Sequence, residues 1–179
     1  MKVIFLDVEG VLNTKETYER AYQRYGHTTL IDLEVDKFRL EYLKTIIDVT
    51  GAKIVLSSSF RYFFYNNGNE ILPKTLKGKK LYDILKGYDI EIYDITPTNS
   101  ETREEQIKSW LATKTNIESF VIIDDDPTVF DELYDNLIIT STKKRSYVSS
   151  FMKESIGLCE EHIPEVANKL TPKVLKKIR

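Results

Sequence analysis

The stretch VIFLDVEGVLN, residues 3–13, joins a run of four apolar residues to two carboxylates and a glycine. Asp7 and Glu9 lie two positions apart, so in an extended chain their side chains point to the same side. Gly10 then allows the backbone to turn away from whatever these side chains face. We therefore predict a buried strand whose carboxyl end presents Asp7 and Glu9 to one ligand.

Two later segments repeat this form. The apolar residues 54–56 end at Ser57, and the apolar residues 120–123 end at Asp124. Short continuous apolar strands are typical of parallel sheets covered on both faces, and helical patterns separate these three strands. The alternation predicts an α/β fold, a Rossmann-like three-layer α/β/α sandwich with a central parallel sheet. Because ligands of such sheets bind at the carboxyl ends of the strands, Asp7, Ser57 and Asp124 are expected to converge.

The remaining elements follow from apolar periodicity and from stop signals. Thr102 begins a sequence with the spacing of a capping box, which places Arg103 in the first turn of a helix. Residues 1–179 are predicted to form a single domain. The other predicted elements are helices at residues 35–50, 75–85, 129–134 and 160–170, strands at residues 90–93 and 137–139, and irregular insertions at residues 14–34 and 61–75.

The composition is that of an ordinary globular protein, with 41% hydrophobic and 30% charged residues in 179. A formal net charge of -2 provides no general attraction to nucleic acid or anionic lipid, so such a partner would need a local patch. The apolar runs are shorter than the roughly 20 residues that cross a bilayer. Cys159 is the single cysteine, which excludes a disulfide framework. We expect a cytoplasmic protein with no membrane partner.

Further carboxylates are expected at the same sheet edge, because Asp125 and Asp126 follow Asp124 directly. Crowding of negative charge is costly unless a cation lies among the carboxylates. Hard oxygen ligands of this kind favour Mg²⁺. The sequence therefore predicts a Mg²⁺ site that draws on the ends of both the first and the third apolar strand.

Groups able to bind an anion are expected beside this metal site. The Ser57 hydroxyl and the amides around Ser58 can bind anionic oxygens. Arg61 or Arg103 can neutralise the charge of those oxygens. Carboxylates, a divalent cation and an anion-binding loop together are typical of a phosphoryl-transfer site.

The segments that carry these residues resemble, in order, the four motifs of the haloacid dehalogenase-like (HAD) hydrolase superfamily. More narrowly, they are similar to the HAD domains of Swiss Army knife RNA repair proteins, which have a similar serine-rich motif, an arginine-led helix and a triple-aspartate motif. The resemblance implies a HAD-like fold with a minimal cap. The matching segments are DVEGVLN at 7–13, VLSSSFR at 55–61, REEQIKSWL at 103–111 and VIIDDD at 121–126, and GLCEEHIPEVANKL at 157–170 resembles the C-terminal helix of that group.

The resemblance implies roles for the carboxylates. Asp7 matches the nucleophile that attacks phosphorus and forms an aspartyl-phosphate. Glu9 matches the residue that protonates the leaving oxygen and then deprotonates the attacking water. The implied Mg²⁺ ligands are Asp7, the backbone carbonyl of Glu9, and the pair Asp124 and Asp125. Within that pair, Asp125 is favoured as the direct ligand and Asp124 as a partner of Arg103 or of metal-bound water.

The resemblance also implies roles for the groups that bind phosphate. Ser57 matches the hydroxyl that holds the phosphoryl group, and Ser58 and Arg61 are expected to bind the substrate. Arg103 matches a position that is lysine in many relatives, and would stabilise charge on the nucleophile and the phosphate.

Glu9 stands where the superfamily most often has aspartate. Glutamate keeps the carboxylate but adds one methylene, which moves the acid by about 1.5 Å if the chain does not adjust. The same DxEG form resembles that of the enolase-phosphatase branch, so glutamate is compatible with phosphatase chemistry. Two interpretations therefore stay open: a Mg²⁺-dependent phosphatase, or a catalytically silent phosphate- or nucleic-acid-binding module in which Glu9 cannot reach the leaving group.

Two substrate classes stay open as well. In RYFFY, residues 61–65, an aromatic ring can stack on a base, whereas packing of a cap or helix is the alternative. The cluster KKR, residues 143–145, can steer a polyanion or lie as a solvated patch. The expected partner is a phosphorylated substrate, either a small molecule or a nucleic-acid end.

Overall fold

The computed structural model describes residues 1–26, 34–141 and 155–171. The described strands are β1 (Lys2–Leu6), β2 (Lys53–Leu56), β3 (Phe64–Asn66), β4 (Ile71–Pro73), β5 (Ile92–Ile95), β6 (Ser119–Asp124) and β7 (Leu137–Ile139). Five of them form one parallel sheet in the order β5-β2-β1-β6-β7, and β3 pairs with β4 in a separate antiparallel hairpin. The predicted parallel sheet is therefore confirmed, and its three central strands are the two that end just before Asp7 and Ser57 and the one that ends at Asp124.

The helices flank this sheet, and local signals fix their ends. The carboxylate of Asp36 accepts the N–H of Phe38 at the start of the helix Lys37–Thr50, and Gly51 ends that helix with a φ of 66°. At the start of the helix Arg103–Ala112, Thr102 and Glu105 form the predicted capping box. The helices are α1 (Lys15–Tyr25), α2 (Lys37–Thr50), α3 (Leu76–Gly87), α4 (Arg103–Ala112) and α5 (His162–Leu170).

Alternate residues of each central strand enter two different cores. Phe5 of β1 faces α4, where its ring meets Trp110 edge-on with the ring centroids 5.3 Å apart. Leu6 faces the opposite core, which is built by α2, α3 and α5. Burial on both faces explains why the strands are continuous apolar runs, and it confirms the three-layer α/β/α sandwich.

The insertion predicted to be irregular at residues 14–34 contains α1, so that prediction is wrong for residues 15–25. The helix buries only Thr17 and Ala21. With Ala21 as its one buried apolar residue, α1 lacks the aliphatic stripe that marks a core helix.

The prediction of an irregular segment at residues 61–75 is also wrong. A 3₁₀ turn, Ser59–Phe63, leads into the β3–β4 hairpin. The Asn67 side chain closes the hairpin by accepting the N–H groups of Asn69 and Glu70, both at 2.9 Å. The described insertions after β1 and β2 thus amount to one helix and one hairpin, which agrees with a minimal cap.

The helix predicted at residues 129–134 does not form, because a side chain of α4 binds its backbone. The Glu104 carboxylate accepts the N–H of Asp131 at 3.0 Å and that of Leu133 at 2.7 Å. Only the 3₁₀ turns Pro127–Val129 and Tyr134–Asn136 remain.

Smaller differences affect β5 and α5. The strand expected at residues 90–93 begins at Ile92, because the N–H of Ile90 still bonds to Leu85 of α3. The helix α5 begins at His162, slightly later than expected. Residues 143–145 lie outside the described residues. Among the described helices, none has the length and apolar character needed to cross a bilayer.

Candidate active site

Arg103 joins the two acidic strand ends. The strands β1 and β6 are parallel neighbours, and the N–H of Asp7 bonds to the carbonyl of Ile123 at 3.0 Å. Arg103, the first residue of α4, donates from one guanidinium nitrogen (Nη1) to Asp7 Oδ2 at 2.8 Å and to Asp124 Oδ2. The structure thus brings together three of the predicted site residues, which come from β1, α4 and β6.

The carboxylates of Asp7, Asp124 and Asp125 form the group best suited to a metal ion. Each offers one oxygen, and these oxygens all lie within 4.8 Å of one another. Three carboxylates outweigh the single charge of Arg103, and hard oxygen ligands with residual negative charge fit a divalent cation such as Mg²⁺. The Glu9 carboxylate is not part of this group among the residues that the structure describes. A contribution from its backbone carbonyl stays a prediction.

The protonation of Asp124 reflects the crowding of negative charge. Burial and the nearby charge of Asp7 raise the pKa of Asp124 to about 7, although Arg103 and the N–H of Asp126 favour its ionised form. Burial disfavours the charge on Arg103, but the two carboxylates more than offset this and raise its pKa. A second cation among the carboxylates would relieve the same repulsion, which supports the fit of a metal.

Asp125 is held by groups that no sequence motif indicated. Ser155 donates from its hydroxyl to Asp125 Oδ2, and Ser141 donates to the Asp125 carbonyl at 2.6 Å. Ser141 and Ser155 also form an isolated β-bridge. Ser155 follows Asp125 by thirty residues and lies in no apolar pattern, so the sequence carried no signal for it.

Ser57 and Ser58 have different environments. Ser57 follows β2 beside Asp7, and its N–H bonds to the carbonyl of Leu6 at 3.0 Å. The Ser57 hydroxyl is buried and has no hydrogen-bond partner among the described residues, which costs about 1–3 kcal/mol unless a ligand uses it. In contrast, the Ser58 hydroxyl accepts the N–H of Phe60 at 3.3 Å and caps the following turn. An unused polar group at this position suits the predicted role of Ser57 in phosphate binding.

Arg61 bonds to the backbone of residues 57–59, which we call the serine loop. Its Nη1 donates to the carbonyls of Ser57 at 3.2 Å and Ser58 at 2.9 Å, and its Nη2 donates to the Tyr62 hydroxyl at 3.2 Å. Burial lowers the pKa of Arg61, and the nearby charge of Arg103 acts in the same direction. Arg61 is therefore buried beside the site, and its contact with a substrate stays a prediction.

Glu9 lies in the loop that follows β1, near Tyr18 of α1. Its carboxylate accepts a long hydrogen bond of 3.5 Å from the Ser59 hydroxyl. Burial, followed by the charge of Glu9, raises the pKa of Tyr18 in α1 to about 12. The Tyr18 hydroxyl in turn accepts from Asn13, whose side-chain oxygen receives the N–H of Gly10 at 3.2 Å. Hydrogen bonds through Asn13 thus connect the loop that carries Glu9 to α1.

The aromatic residues after the serine motif divide into two groups. Phe64 is buried in the core and Phe63 packs against it partly buried, as the packing interpretation predicts. Tyr62 and Tyr65 remain 49% and 43% exposed. The Arg61 guanidinium lies over the Tyr62 ring, 4.5 Å from its centroid. Tyr62 therefore combines an accessible aromatic surface with a position beside the serine loop.

Comparisons with known proteins agree with this geometry. No curated protein and no solved structure matches the chain. The family described as the HAD domain in Swiss Army Knife RNA repair proteins matches residues 3–145, a span that includes β1, the serine loop, α4 and the acidic end of β6. This confirms the family that the motifs predicted. The chain belongs to the family of HAD domains found in Swiss Army Knife RNA repair proteins.

Proposed function

We propose that this HAD-type hydrolase is a Mg²⁺-dependent phosphatase that cleaves phosphomonoesters through a phosphoryl group carried on Asp7. The observation that carries the proposal is the convergence of the Asp7, Asp124 and Asp125 carboxylates beside Arg103 at one sheet edge. The orphaned hydroxyl of Ser57 supports it, because a phosphoryl oxygen would supply the missing partner.

In the proposed reaction an oxygen of Asp7 attacks phosphorus while the bond from phosphorus to the leaving oxygen breaks. The Asp7 carboxylate is oriented by the N–H of Val8, which donates to Oδ1 at 2.8 Å, and by Arg103 at Oδ2. Glu9 gives its proton to the leaving oxygen. Glu9 then takes a proton from the water that attacks the aspartyl-phosphate, which releases phosphate and regenerates Asp7.

Arg103 and Ser57 are proposed to stabilise charge during these displacements. The Arg103 guanidinium already lies against the attacking carboxylate, so no large movement is needed as charge develops on phosphorus. Ser57 would donate its free hydroxyl to a phosphoryl oxygen. Asp7, Asp124 and Asp125 would hold Mg²⁺, and the bound ion would neutralise phosphoryl oxygens and orient the group.

The proposal is tested by hydrolysis of glycerol phosphate and an aryl phosphate with and without Mg²⁺. Asp7→Asn removes the nucleophile but keeps its size, and should lower kcat by about a thousandfold or more. Asp48→Asn is the matched control, because Asp48 is an exposed residue of α2 that pairs with Lys44. Wild-type activity that is absent or independent of Mg²⁺ contradicts the proposal. Phosphate binding without hydrolysis favours the silent module instead.

A nucleotide or a nucleic-acid end is the substrate class that Tyr62 favours. Its exposed ring is fixed on Arg61, and Arg61 is bonded to the carbonyls of the serine loop. A phosphate bound at Ser57 would therefore place the attached nucleoside near an aromatic surface, and stacking on such a surface stabilises an unpaired base by about 1–3 kcal/mol. Small phosphorylated metabolites without a base would gain nothing from Tyr62. Residues 143–145 lie outside the described residues and add nothing to this argument.

A further inference from the structure

A short segment near the C-terminus connects the two loops that carry the carboxylates. We call residues 155–158 the strap. At one end of the strap, Ser155 donates to the carboxylate of Asp125. At the other end, the N–H of Leu158 bonds to the carbonyl of Val11 at 2.8 Å, in the loop that begins with Asp7. The strap therefore contacts both of the loops that carry the carboxylates.

The middle of the strap is fixed to the end of the sheet. The N–H groups of Ile156 and Gly157 both bond to the carbonyl of Thr140, at 2.9 and 3.1 Å. The Thr140 hydroxyl bonds to the carbonyl of Gly10 at 3.0 Å. From α2, Arg39 donates to the carbonyl of Ile156 at 2.7 Å. These bonds hold the backbone directly after Ser155, whose hydroxyl reaches Asp125.

From these contacts we infer that Ser155 is a positioning residue, which sets the Asp125 carboxylate for a divalent cation. The inference rests on the metal site of the proposed function. Ser155 lies beyond residue 145, where the family match ends, so this contact is not part of the matched motifs. A carboxylate that is free to rotate loses conformational entropy when it binds a metal. A hydrogen bond to one of its oxygens orients the carboxylate beforehand and so reduces that loss.

The experiment measures Mn²⁺ binding to the full chain without substrate, by electron paramagnetic resonance of the free ion. Ser155→Ala should weaken binding about tenfold, the lower end of the effect of losing a partner of a metal ligand. Ser155→Thr keeps the hydroxyl and should restore most of the affinity. Ser119→Ala is the control, because Ser119 donates to the carbonyl of Leu170 at 2.8 Å and not to a metal ligand. Its affinity should equal that of the wild type.

A second pair of variants separates positioning from general stability. If Ser155 acts through Asp125, then Ser155→Ala should have no further effect on Mn²⁺ affinity in an Asp125→Asn background. Equal affinities for wild type and Ser155→Ala overturn the inference and leave the proposed function intact. Additive effects of the two substitutions also overturn it. No saturable Mn²⁺ binding by the wild type overturns both the inference and the proposed metal site.

Discussion

Gly10 lies directly against the carboxylate of Asp125. A β-carbon added at Gly10 would stand 2.3 Å from Asp125 Cγ, and the backbone of Gly10 has a φ of +78°. Both features favour glycine, because no other residue offers this closeness together with the left-handed conformation. The glycine of the first motif therefore packs against the acidic end of β6, and the two motifs cannot be positioned independently.

Gly10→Ala should impair catalysis more than folding. The left-handed conformation costs an alanine about 1–2 kcal/mol, and a displacement of Asp125 by about 1 Å should reduce kcat/KM about a hundredfold. Gly51→Ala is the control, since Gly51 has a φ of +66° but nothing within 4 Å of an added β-carbon. Thermal unfolding and steady-state kinetics together check the prediction. It fails if Gly10→Ala is as active as Gly51→Ala.

Ser57→Ala should make the protein more stable and less active. The substitution removes a buried hydroxyl without a partner, so the free energy of unfolding should rise by about 1 kcal/mol. Loss of a hydrogen bond to a charged phosphoryl oxygen should lower kcat/KM about tenfold or more. Ser58→Ala, which removes a cap, should instead lower stability by about 1 kcal/mol. Denaturant unfolding would contradict the prediction if Ser57→Ala were less stable than the wild type.

Arg103→Ala should make stability depend on Mg²⁺. Removal of the guanidinium leaves Asp7 and Asp124 without their shared cation, which should cost about 3 kcal/mol in metal-free buffer. Mg²⁺ should recover part of the loss, because it supplies positive charge to the same carboxylates. In metal-free buffer, the stability of Arg103→Lys should lie between that of the wild type and that of Arg103→Ala. Exposed Arg24→Ala serves as the control, and thermal unfolding that responds equally to Mg²⁺ in all variants would argue against the prediction.

Glu9→Gln should nearly abolish turnover, because an amide cannot transfer the proton. We expect a loss of about a hundredfold or more in kcat. Glu9→Asp keeps the carboxylate and should retain measurable turnover. Glu19→Gln is the control, since Glu19 is exposed on α1 and pairs with Lys15. If Glu9→Gln turned over as fast as wild type, Glu9 would have no part in proton transfer.

Tyr62→Ala should reduce the preference for substrates with a base. For an oligonucleotide with a terminal phosphate, kcat/KM should fall about tenfold, whereas the same oligonucleotide with an abasic terminal residue should be little affected. Tyr62→Phe keeps the ring and should retain the preference. Tyr65→Ala removes another exposed tyrosine and serves as the control. If the wild type cleaved the end that has a base and the abasic end at equal rates, stacking by Tyr62 would be excluded.

The sequence predicted the elements that bury the most apolar surface. β1, β2 and β6 are covered on both faces, so their apolar runs are unbroken, and α4 has a capping box formed by neighbouring residues. The placement of Asp124 at the end of β6 and of Arg103 in the first turn of α4 was predictable for a similar reason, since strand ends and helix starts are local features. Their convergence needed only the rule that parallel strands place their carboxyl ends together.

The predictions from sequence that were wrong or missing have two causes. One is a contact made by a residue far away in the sequence, and the other is a weak apolar pattern. Residues 129–134 were expected to be helical, but Glu104 of a different element binds their backbone. α1 was missed because its buried face holds only Thr17 and Ala21. Ser155 was missed because a single hydroxyl, far from any motif, reaches Asp125 only after the chain has folded.

The first turn of α4 also links changes elsewhere in that helix to the candidate site. Arg103 bonds to the end of β1 and the end of β6, and the next residue, Glu104, bonds to the backbone that follows the acidic motif. Two neighbouring residues of one helix thus bond to the chain at the ends of both β1 and β6. We therefore expect a substitution that tilts α4, for example at Trp110 in the core, to disturb the bonds at Asp7 and Asp124 together.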